Sequence, residues 1–364
     1  MTCPTGNTPW EHSGSSPVTL PSVILLPAAT ITINKTWTLP SGTRIVGEGS
    51  NLTVLQPGSS FSGTSDMIDM GGVVGSTSLC PSNVCQGVVI EHLQVNGALN
   101  GVSQSLNGIV NQYSQDLSYV NDVALNNLGL TGLVLASTSG SSPVNSGPYS
   151  GITCNIGSAE SQSAACAQIL NVTGGTRGIH GLTCVSNVSN YSTVAVYLDS
   201  PNNSITDVRI LGFDDGIRVG YHAAAPSNVL FNILGDTNKI LPSPINVVHI
   251  TNNYATSDLS IMGVVNQGVG SYSIQDDVTS TTLPDPSVAM YVLGKAVSVG
   301  GTNTGYSRFT TSPSAATWGL GTNSTPVAPC VTGSLYSYVP TANGAGAGAL
   351  WVCKYQHNWT RITP

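Results

Sequence analysis

Three short segments with the same pattern decide the fold of this chain: HLQVN at residues 92–96, DVALN at residues 122–126 and GITCN at residues 151–155. Each alternates apolar and polar residues and ends at an asparagine. Such alternation is typical of β-strands, whose successive side chains point to opposite sides of the sheet. Similar segments recur, with first aliphatic residues at positions 93, 123, 152, 182, 208, 229 and 259, in steps of 21 to 30 residues. Repeats of this length indicate a solenoid or a propeller.

Each repeat also contains a second, glycine-led strand, as in GIV at 108–110, GLVL at 132–135 and GIRVG at 216–220. A propeller needs four antiparallel strands in about 40 residues, and these steps are too short for that. The pattern therefore predicts an all-β coil of parallel sheets with little helix. Aliphatic residues stack inside, and asparagine and glycine occupy the tight corners.

The start of the repeat region carries a family resemblance. Residues 23–27 read VILLP and residues 38–49 read TLPSGTRIVGEG. This stretch resembles the opening coil of pectin-lyase-like right-handed parallel β-helix proteins of the secreted bacterial type, in which a P-x-G-x-x-I-x-G-x-G run caps the helix. The resemblance covers residues 20 to about 300 and implies a right-handed parallel β-helix over 23–300, after an N-terminal segment over 1–22. Beyond it, strand-like runs at 330–336, 349–353 and 358–362 predict a small C-terminal β hairpin or cap module over 301–364. The fold hosts lyases, hydrolases, tailspikes and adhesins, so it does not decide the function.

Composition excludes several classes of protein. The 17 acidic and 10 basic residues make up 7% of the 364, where a soluble domain carries roughly 25%. Because 40% of the residues are hydrophobic, intrinsic disorder is not expected. No apolar run reaches the roughly 18 residues of a membrane span, and ten basic residues are too few for a nucleic-acid partner. A neutral polar surface of this kind leaves self-association open.

The eight cysteines lack the spacing of a zinc site and predict short-range disulfides in an oxidising compartment. The predicted disulfide pairs are Cys80 with Cys85 and Cys330 with Cys353. Cys154 and Cys166 flank a polar stretch and are expected to form a further short-range disulfide. Cys3 and Cys184 are left without an assigned partner. The chain is therefore predicted to be secreted or displayed at the cell surface. The export signal is expected to have been removed, with Met1 added for expression.

Charged residues and histidines concentrate between positions 177 and 222. Residues one repeat apart stack about 4.8 Å from each other in a solenoid, so such residues can converge on one face. The predicted catalytic residues are Asp214, Asp215 and His180, and the predicted substrate-binding residues are Arg177, Arg209, Arg218 and His222. No metal ligand is predicted.

Structural roles compete with this prediction. Asp207 with Arg209 and Asp215 with Arg218 could be surface ion pairs, each contributing under about 1 kcal/mol. His180 could be a corner residue that hydrogen-bonds the backbone.

Family motifs do not select a reaction. Polygalacturonase-like hydrolases carry N-T-D-G, D-D, G-H-G and R-I-K in that order, and here Asp214–Asp215 is present but His180–Gly181 precedes it. The W-x-D-H and R-x-P-x-x-R motifs of pectate lyases are absent. A β-elimination needs a base and a neutraliser for the sugar carboxylate, often calcium held by several carboxylates, so calcium is the one cofactor left open. The acidic pair Asp276–Asp277 is more typical of a solvated turn.

Three functions remain open on the sequence: a secreted polysaccharide lyase or glycoside hydrolase, a non-catalytic structural or adhesive solenoid such as a fibre, filament subunit or tailspike-like protein, and a glycan-binding protein without turnover. The 13 tyrosines and 5 tryptophans outnumber the 4 phenylalanines. Tyr and Trp stack on sugar rings while keeping a polar edge, which suits a surface that binds a polysaccharide or cell-surface glycan. Trp318, Trp351 and Trp359 cluster near the C-terminus, where packing of a small core is the alternative role.

Overall fold

A computed structural model gives the structure of the chain. It describes residues 22–220 apart from 63–64, 75–76, 139–140, 157–164, 173 and 187–193, and beyond them 227–229, 233–236, 246–250, 258–262, 264–266, 274–276, 287–291, 299–300, 318–321, 325–326, 332–338, 348–355 and 358–362. Within these ranges nearly all regular structure is β-strand, and no helix is long and apolar enough to span a membrane.

The strands form successive coils with three faces, and neighbouring coils pair in parallel. The first face contains β1 (Ser22–Leu25), β4 (Thr43–Val46), the first parts of β9 (Val89–Asn96), β13 (Tyr119–Leu128) and β15 (Tyr149–Ile156), and then β17 (Ile179–His180), β20 (Ser204–Thr206), β23 (Ser227–Val229), β26 (Asp258–Met262) and β29 (Ser287–Tyr291).

The second face continues the same 16-stranded sheet around a bend. It contains β2 (Thr30–Lys35), β5 (Val54–Ser62), the later parts of β9, β13 and β15, and then β18 (Thr183–Ser186), β21 (Arg209–Leu211), β24 (Ile233–Asp236) and β27 (Val264–Asn266).

The third face is a separate ten-stranded parallel sheet. Its strands are β3 (Trp37–Leu39), β6 (Asp66–Met70), β12 (Asn107–Asn111), β14 (Leu133–Ala136), β16 (Ala167–Leu170), β19 (Val194–Asp199), β22 (Asp215–Val219), β25 (Asn246–Ile250), β28 (Ile274–Asp276) and β30 (Val299–Gly300). The chain therefore forms a parallel β-helix, as the sequence predicts.

The core lies inside the coils as columns of stacked side chains, one from each turn. On the second face the column runs Leu55, Val95, Leu125, Cys154, Cys184 and Ile210, and on the third face it runs Ile68, Ile109, Leu133, Ala167, Val196, Ile217 and Val248. All of these side chains are buried. The apolar positions of the repeat thus exclude water along the axis, which supplies the main driving force for folding.

Smaller elements complete the described structure. Two short antiparallel pairs, β7 (Val73–Val74) with β8 (Thr77–Ser78) and β10 (Ala98–Leu99) with β11 (Val102–Ser103), lie in corner loops, and Pro81–Asn83 forms one 3-10 turn. Near the C-terminus, β31 (Trp318–Gly321), β32 (Leu335–Tyr338), β33 (Ala349–Tyr355) and β34 (Asn358–Arg361) form a separate four-stranded sheet. This sheet is the predicted β appendage.

The disulfides confirm one predicted pair and correct another. Cys80 bonds Cys85, as predicted. Cys166 bonds Cys184 rather than Cys154, which remains a buried thiol. The predicted Cys154–Cys166 disulfide is wrong because parallel stacking brings Cys184 of the next coil close to both residues. The separation in sequence gives no sign of this contact. Cys353 is disulfide-bonded, and the predicted partner Cys330, like Cys3, lies outside the described residues.

Candidate functional site

The outer side of the third face carries a column in which polar residues concentrate toward the later coils. Hydrogen-bonded register places Thr38, Asp69, Val110, Val134, Gln168, Tyr197, Arg218 and His249 on successive strands of this column. Each alternates with a buried inward residue, such as Ile217 beside Arg218 and Val248 beside His249. Strand alternation therefore places the Tyr197 ring, the Arg218 guanidinium and the His249 imidazole on one surface.

A buried aspartate joins two of these side chains. The Asp215 Oδ2 atom accepts hydrogen bonds from Arg218 Nε at 2.8 Å and Arg218 Nη2 at 2.5 Å, and it lies 2.9 Å from His249 Nδ1. The Asp215 side chain is 5% exposed, whereas those of Arg218 and His249 are 33% and 18% exposed. The carboxylate is thus enclosed while its two partners reach the surface.

The electrostatics keep Asp215 ionised. Burial alone would raise the pKa of Asp215, but the hydrogen bond and charge of His249 and those of Arg218 outweigh it, and the pKa is lowered below the ordinary 3.8. An ionised carboxylate can only accept, so Nδ1 of His249 carries the proton. In the neutral form of the His249 ring the lone pair therefore lies on Nε2, the nitrogen that would then act as a base, whereas in the charged form the ring attracts the Asp215 carboxylate.

Tyr197 and Asp199 meet over a glycine at the end of the next strand. A Cβ atom placed at Gly220 would lie 2.7 Å from Asp199 Oδ1 and 2.8 Å from Tyr197 Oη, so a larger residue there would displace these side-chain ends. Burial, followed by the charge of Asp199, raises the pKa of the Tyr197 phenol, while Arg218 opposes the rise. The phenol is therefore a proton donor at neutral pH. We call Tyr197, Asp199, Asp215, Arg218 and His249 the third-face cluster.

The structure divides the predicted site between faces. Asp215 and Arg218 belong to the third-face cluster, and Asp214 is half-buried directly before β22. His180 is instead on β17 of the first face, and Arg177 is an exposed residue of the loop before it. Arg209 is exposed on β21 of the second face, and His222 lies outside the described residues. Stacking did bring sequence-distant residues together, but the coil has three faces and the predicted set spans all of them.

Two of the structural alternatives, which involve three residues, are present in the structure. Asp215 and Arg218 form the ion pair considered from the sequence. His180 binds locally, since its Nδ1 lies 2.7 Å from Thr206 Oγ1 and its Nε2 lies 2.9 Å from the Arg177 carbonyl oxygen. Both ring nitrogens are thus engaged within the first face, which favours a corner role for His180 over acid-base chemistry.

Among the described residues, the side chains that are grouped as metal ligands would be are three cysteines, two of which are bonded to each other. Over the described ranges, the one set of three or more His, Cys, Asp or Glu side chains close enough to share an ion consists of Cys154, Cys166 and Cys184. The carboxylates of the described residues thus provide no three-ligand calcium site, and Asp277 of the acidic pair lies outside those residues.

Sequence reasoning missed Tyr197, Asp199 and His249 as members of one site. His249 is separated from Asp215 by 34 residues, beyond the stretch in which the charges concentrate. A usable signal exists in the alternation of VAVYLD at 194–199, GIRV at 216–219 and NVVHI at 246–250. Aligning the inward aliphatic residues of these strands places Tyr197, Arg218 and His249 in one row.

Comparison with known proteins finds similarity to solved structures. No family model and no curated protein matches the sequence. A Geobacillus virus E2 protein described as ORF18 is similar with a TM-score of 0.45 and 12% identity, over 93% of this chain and 68% of that one. The A-modules of the Azotobacter vinelandii mannuronan C-5 epimerases AlgE6 and AlgE4 are similar with TM-scores of 0.34 and 0.24 and identities of 13% and 12%. They cover 77% of this chain and 89% and 87% of their own chains. The fold assignment therefore rests on the strand order of this chain.

Proposed function

We propose that the protein is a secreted enzyme that cleaves an extracellular polysaccharide by β-elimination at an acidic sugar, with the third-face cluster as its active site. One observation carries the proposal: an imidazole and an arginine share a buried carboxylate, beside a phenol on the next strand. Disulfide bonds in the core are compatible with an extracellular location.

Each side chain has a role in such a reaction. Arg218 would bind the sugar carboxylate and stabilise the negative charge that develops there. His249 Nε2 would take the proton from the carbon next to that carboxylate. Tyr197 would give its proton to the glycosidic oxygen as the carbon–oxygen bond breaks and the carbon–carbon double bond forms. Proton exchange with water then restores both groups. Asp215 is a positioning residue, because its carboxylate fixes the tautomer of His249 and the orientation of the Arg218 guanidinium.

Hydrolysis fits the cluster less well than elimination. A glycoside hydrolase needs a carboxylic acid that is protonated at the working pH, and that acid has a raised pKa. Asp215 has a lowered pKa because of His249 and Arg218, so it cannot fill this role. The phenol and imidazole supply the donor and the base without a second carboxyl group.

A non-catalytic solenoid is the second candidate. The Asp215 carboxylate is already bonded to Arg218 and His249, and such a network can serve stability alone. Under this candidate the third face would be a structural or glycan-binding surface, and self-association into fibres would be compatible with the weakly charged surface.

The test is a panel of acidic and neutral polysaccharides with two readouts, the ultraviolet absorbance of the new double bond and the number of reducing ends. We expect both signals to rise together on an acidic polymer. Tyr197→Phe and His249→Gln should each lower kcat by about 100-fold or more, and Arg218→Lys should raise KM because one guanidinium fork is lost. Glu48→Gln, an exposed carboxylate in a loop outside the cluster, is the matched control and should leave both constants unchanged.

The other outcomes are distinct. Reducing ends without the double bond would indicate a hydrolase, and in that case Asp214→Asn tests Asp214 as the acid, while Asp215→Asn tests Asp215 as the ionised carboxylate of the pair. An equal loss in Arg209→Lys would return the site to the second face. Glycan binding without product would favour a binding protein. Neither binding nor product, together with polymers in light scattering, would favour the structural solenoid.

A further inference from the structure

Three cysteines meet in the core at one corner of the helix. Cys154 is on β15, Cys184 is on β18 of the next coil, and Cys166 directly precedes β16. All three are fully buried, and their Sγ atoms lie within 4.8 Å of one another. Cys166 and Cys184 are bonded, and Cys154 is a thiol. A thiol thus lies in contact with a disulfide in a closed apolar space.

The backbone geometry permits more than one pairing. Cys154 and Cys184 are direct partners in the parallel ladder of β15 and β18, and adjacent strands lie about 4.8 Å apart. A disulfide needs a Cα separation of about 4.4 to 6.8 Å, and the general strand spacing places this pair within that range. Cys166 and Cys184 are 6.2 Å apart at Cα. The Cys166 Sγ atom also lies 3.8 Å from the Cys154 carbonyl oxygen, so Cys166 faces both partners.

We propose that these residues form an exchangeable three-sulfur cross-link, in which any two cysteines can be bonded and the third remains the thiol. In the exchange, the Cys154 thiolate attacks Cys184 Sγ, the Cys154–Cys184 bond forms, the Cys166–Cys184 bond breaks, and Cys166 leaves as a thiolate that takes up the proton lost by Cys154. The step is redox-neutral and needs no co-reactant. Attack on Cys166 instead gives the Cys154–Cys166 pair.

The three pairings connect the fold differently. Cys154–Cys184 joins two coils along the second face, Cys166–Cys184 joins the same two coils across a corner, and Cys154–Cys166 closes a single coil. Burial raises the pKa of the Cys154 thiol, so the thiolate is scarce in the folded state. Disulfide exchange therefore takes place during folding or during local opening of these coils, when Cys154 is less buried. The third sulfur ensures that the joint between the coils is re-formed whichever pair bonds first.

The experiment maps disulfides in the full chain after oxidative refolding in a buffer of reduced and oxidised glutathione. The variants are Cys166→Ala and Cys184→Ala, with Cys154→Ala as the control that keeps the observed pair. We expect a Cys154–Cys184 bond in the first variant and a Cys154–Cys166 bond in the second, found by alkylation under denaturing conditions and peptide mass mapping. Circular dichroism shows whether each variant folds.

The proposal is overturned if the folded variants carry both remaining cysteines as alkylated thiols. If a variant does not fold, the wild-type chain decides. After refolding, we expect alkylated thiol at more than one of the three positions, and alkylation at Cys154 alone would overturn the proposal. None of these outcomes depends on the enzymatic proposal, because no readout is an activity.

Discussion

Two aspartates on the third face show how the surroundings of a carboxyl group decide its charge. Asp215 stays ionised because His249 and Arg218 outweigh its burial. Among the residues that the structure describes, no cationic side chain contributes to the pKa of Asp69. Burial first, and then the charge of Asp66 and a hydrogen bond with it, raise the pKa of Asp69 to about 8. Its Oδ1 atom is buried and accepts no hydrogen bond from the described part of the chain. An early and a later strand of the third face therefore hold a neutral and a charged acid, respectively, at neutral pH.

Asp69 should make stability fall as pH rises. Its folded pKa of about 8 lies above the ordinary 3.8, so between these values the folded state binds more protons than the unfolded state. Stability is then full below about pH 4 and decreases toward about pH 8. We expect Asp69→Asn to remove this decline, which thermal unfolding at pH 5 and pH 8 measures. Glu48→Gln is the control and should keep the wild-type decline. An unchanged decline in Asp69→Asn would contradict the assignment.

The bend between the first and second faces depends on a column of left-handed residues. His92, Asp122, Gly151, Gly181 and Asp207 occupy equivalent places on successive coils, with φ of 55°, 51°, 61°, 68° and 54°. This conformation turns the strand without ending its hydrogen bonding to the neighbours. Aspartate, asparagine and glycine tolerate it better than other residues.

Gly181 offers a clean test of this column. A Cβ atom there would meet its nearest neighbour, the Gly151 nitrogen, at 3.7 Å, so space is available and the cost comes from the backbone. We expect Gly181→Val to lower the free energy of unfolding by about 1–2 kcal/mol, the cost of a left-handed L-residue. Gly181→Asn should cost clearly less, because asparagine adopts this region more readily. Urea unfolding compares the two, and equal losses would show that crowding rather than backbone conformation decides.

The sequence predicts the strands better than their alignment. The positions 93, 123, 152, 182 and 208 do stack in register. The step from 208 to 229 does not, because Val229 pairs with Ile205, and Arg209 pairs with Leu234 one coil later. The bend is the physical reason. It divides one long strand into two short ones, and its residues include histidine and aspartate, so no glycine or proline marks it in every coil.

The sequence predicts some residues of the candidate site and not others, because the register between coils is not visible in the sequence. Asp215 and Arg218 are three residues apart in sequence, so their short separation along the chain was enough to suggest an ion pair. His249 and Tyr197 join them only through the register of β19, β22 and β25. The lengths of the corner loops set that register, and these loops follow no repeat. The charge-rich stretch at 177–222 therefore indicates which part of the chain contributes to the candidate site, but not on which face of the β-helix the site lies.

The coils interact with their neighbours in sequence, so stability in this molecule is expected to vary along the axis. β13 is paired along its length with β9 on one side and β15 on the other. β1 lies at the end of the described sheet and pairs with β4 over four residues. In a stacked repeat architecture each coil gains stability from its own fold and from its adjacent interfaces. Central coils have two interfaces, and an end coil has fewer.

Hydrogen exchange should reveal this gradient. We expect peptides from Tyr119–Leu128 to exchange at least about 100-fold more slowly than peptides from Ser22–Leu25, because end coils open without the rest of the helix. Mass spectrometry of the folded chain at neutral pH measures both peptides in one sample. Fully cooperative unfolding would instead give the same limiting rate everywhere. That result would mean that contacts beyond nearest coils, or residues outside the described ranges, stabilise β1 as strongly as the central ladder stabilises β13.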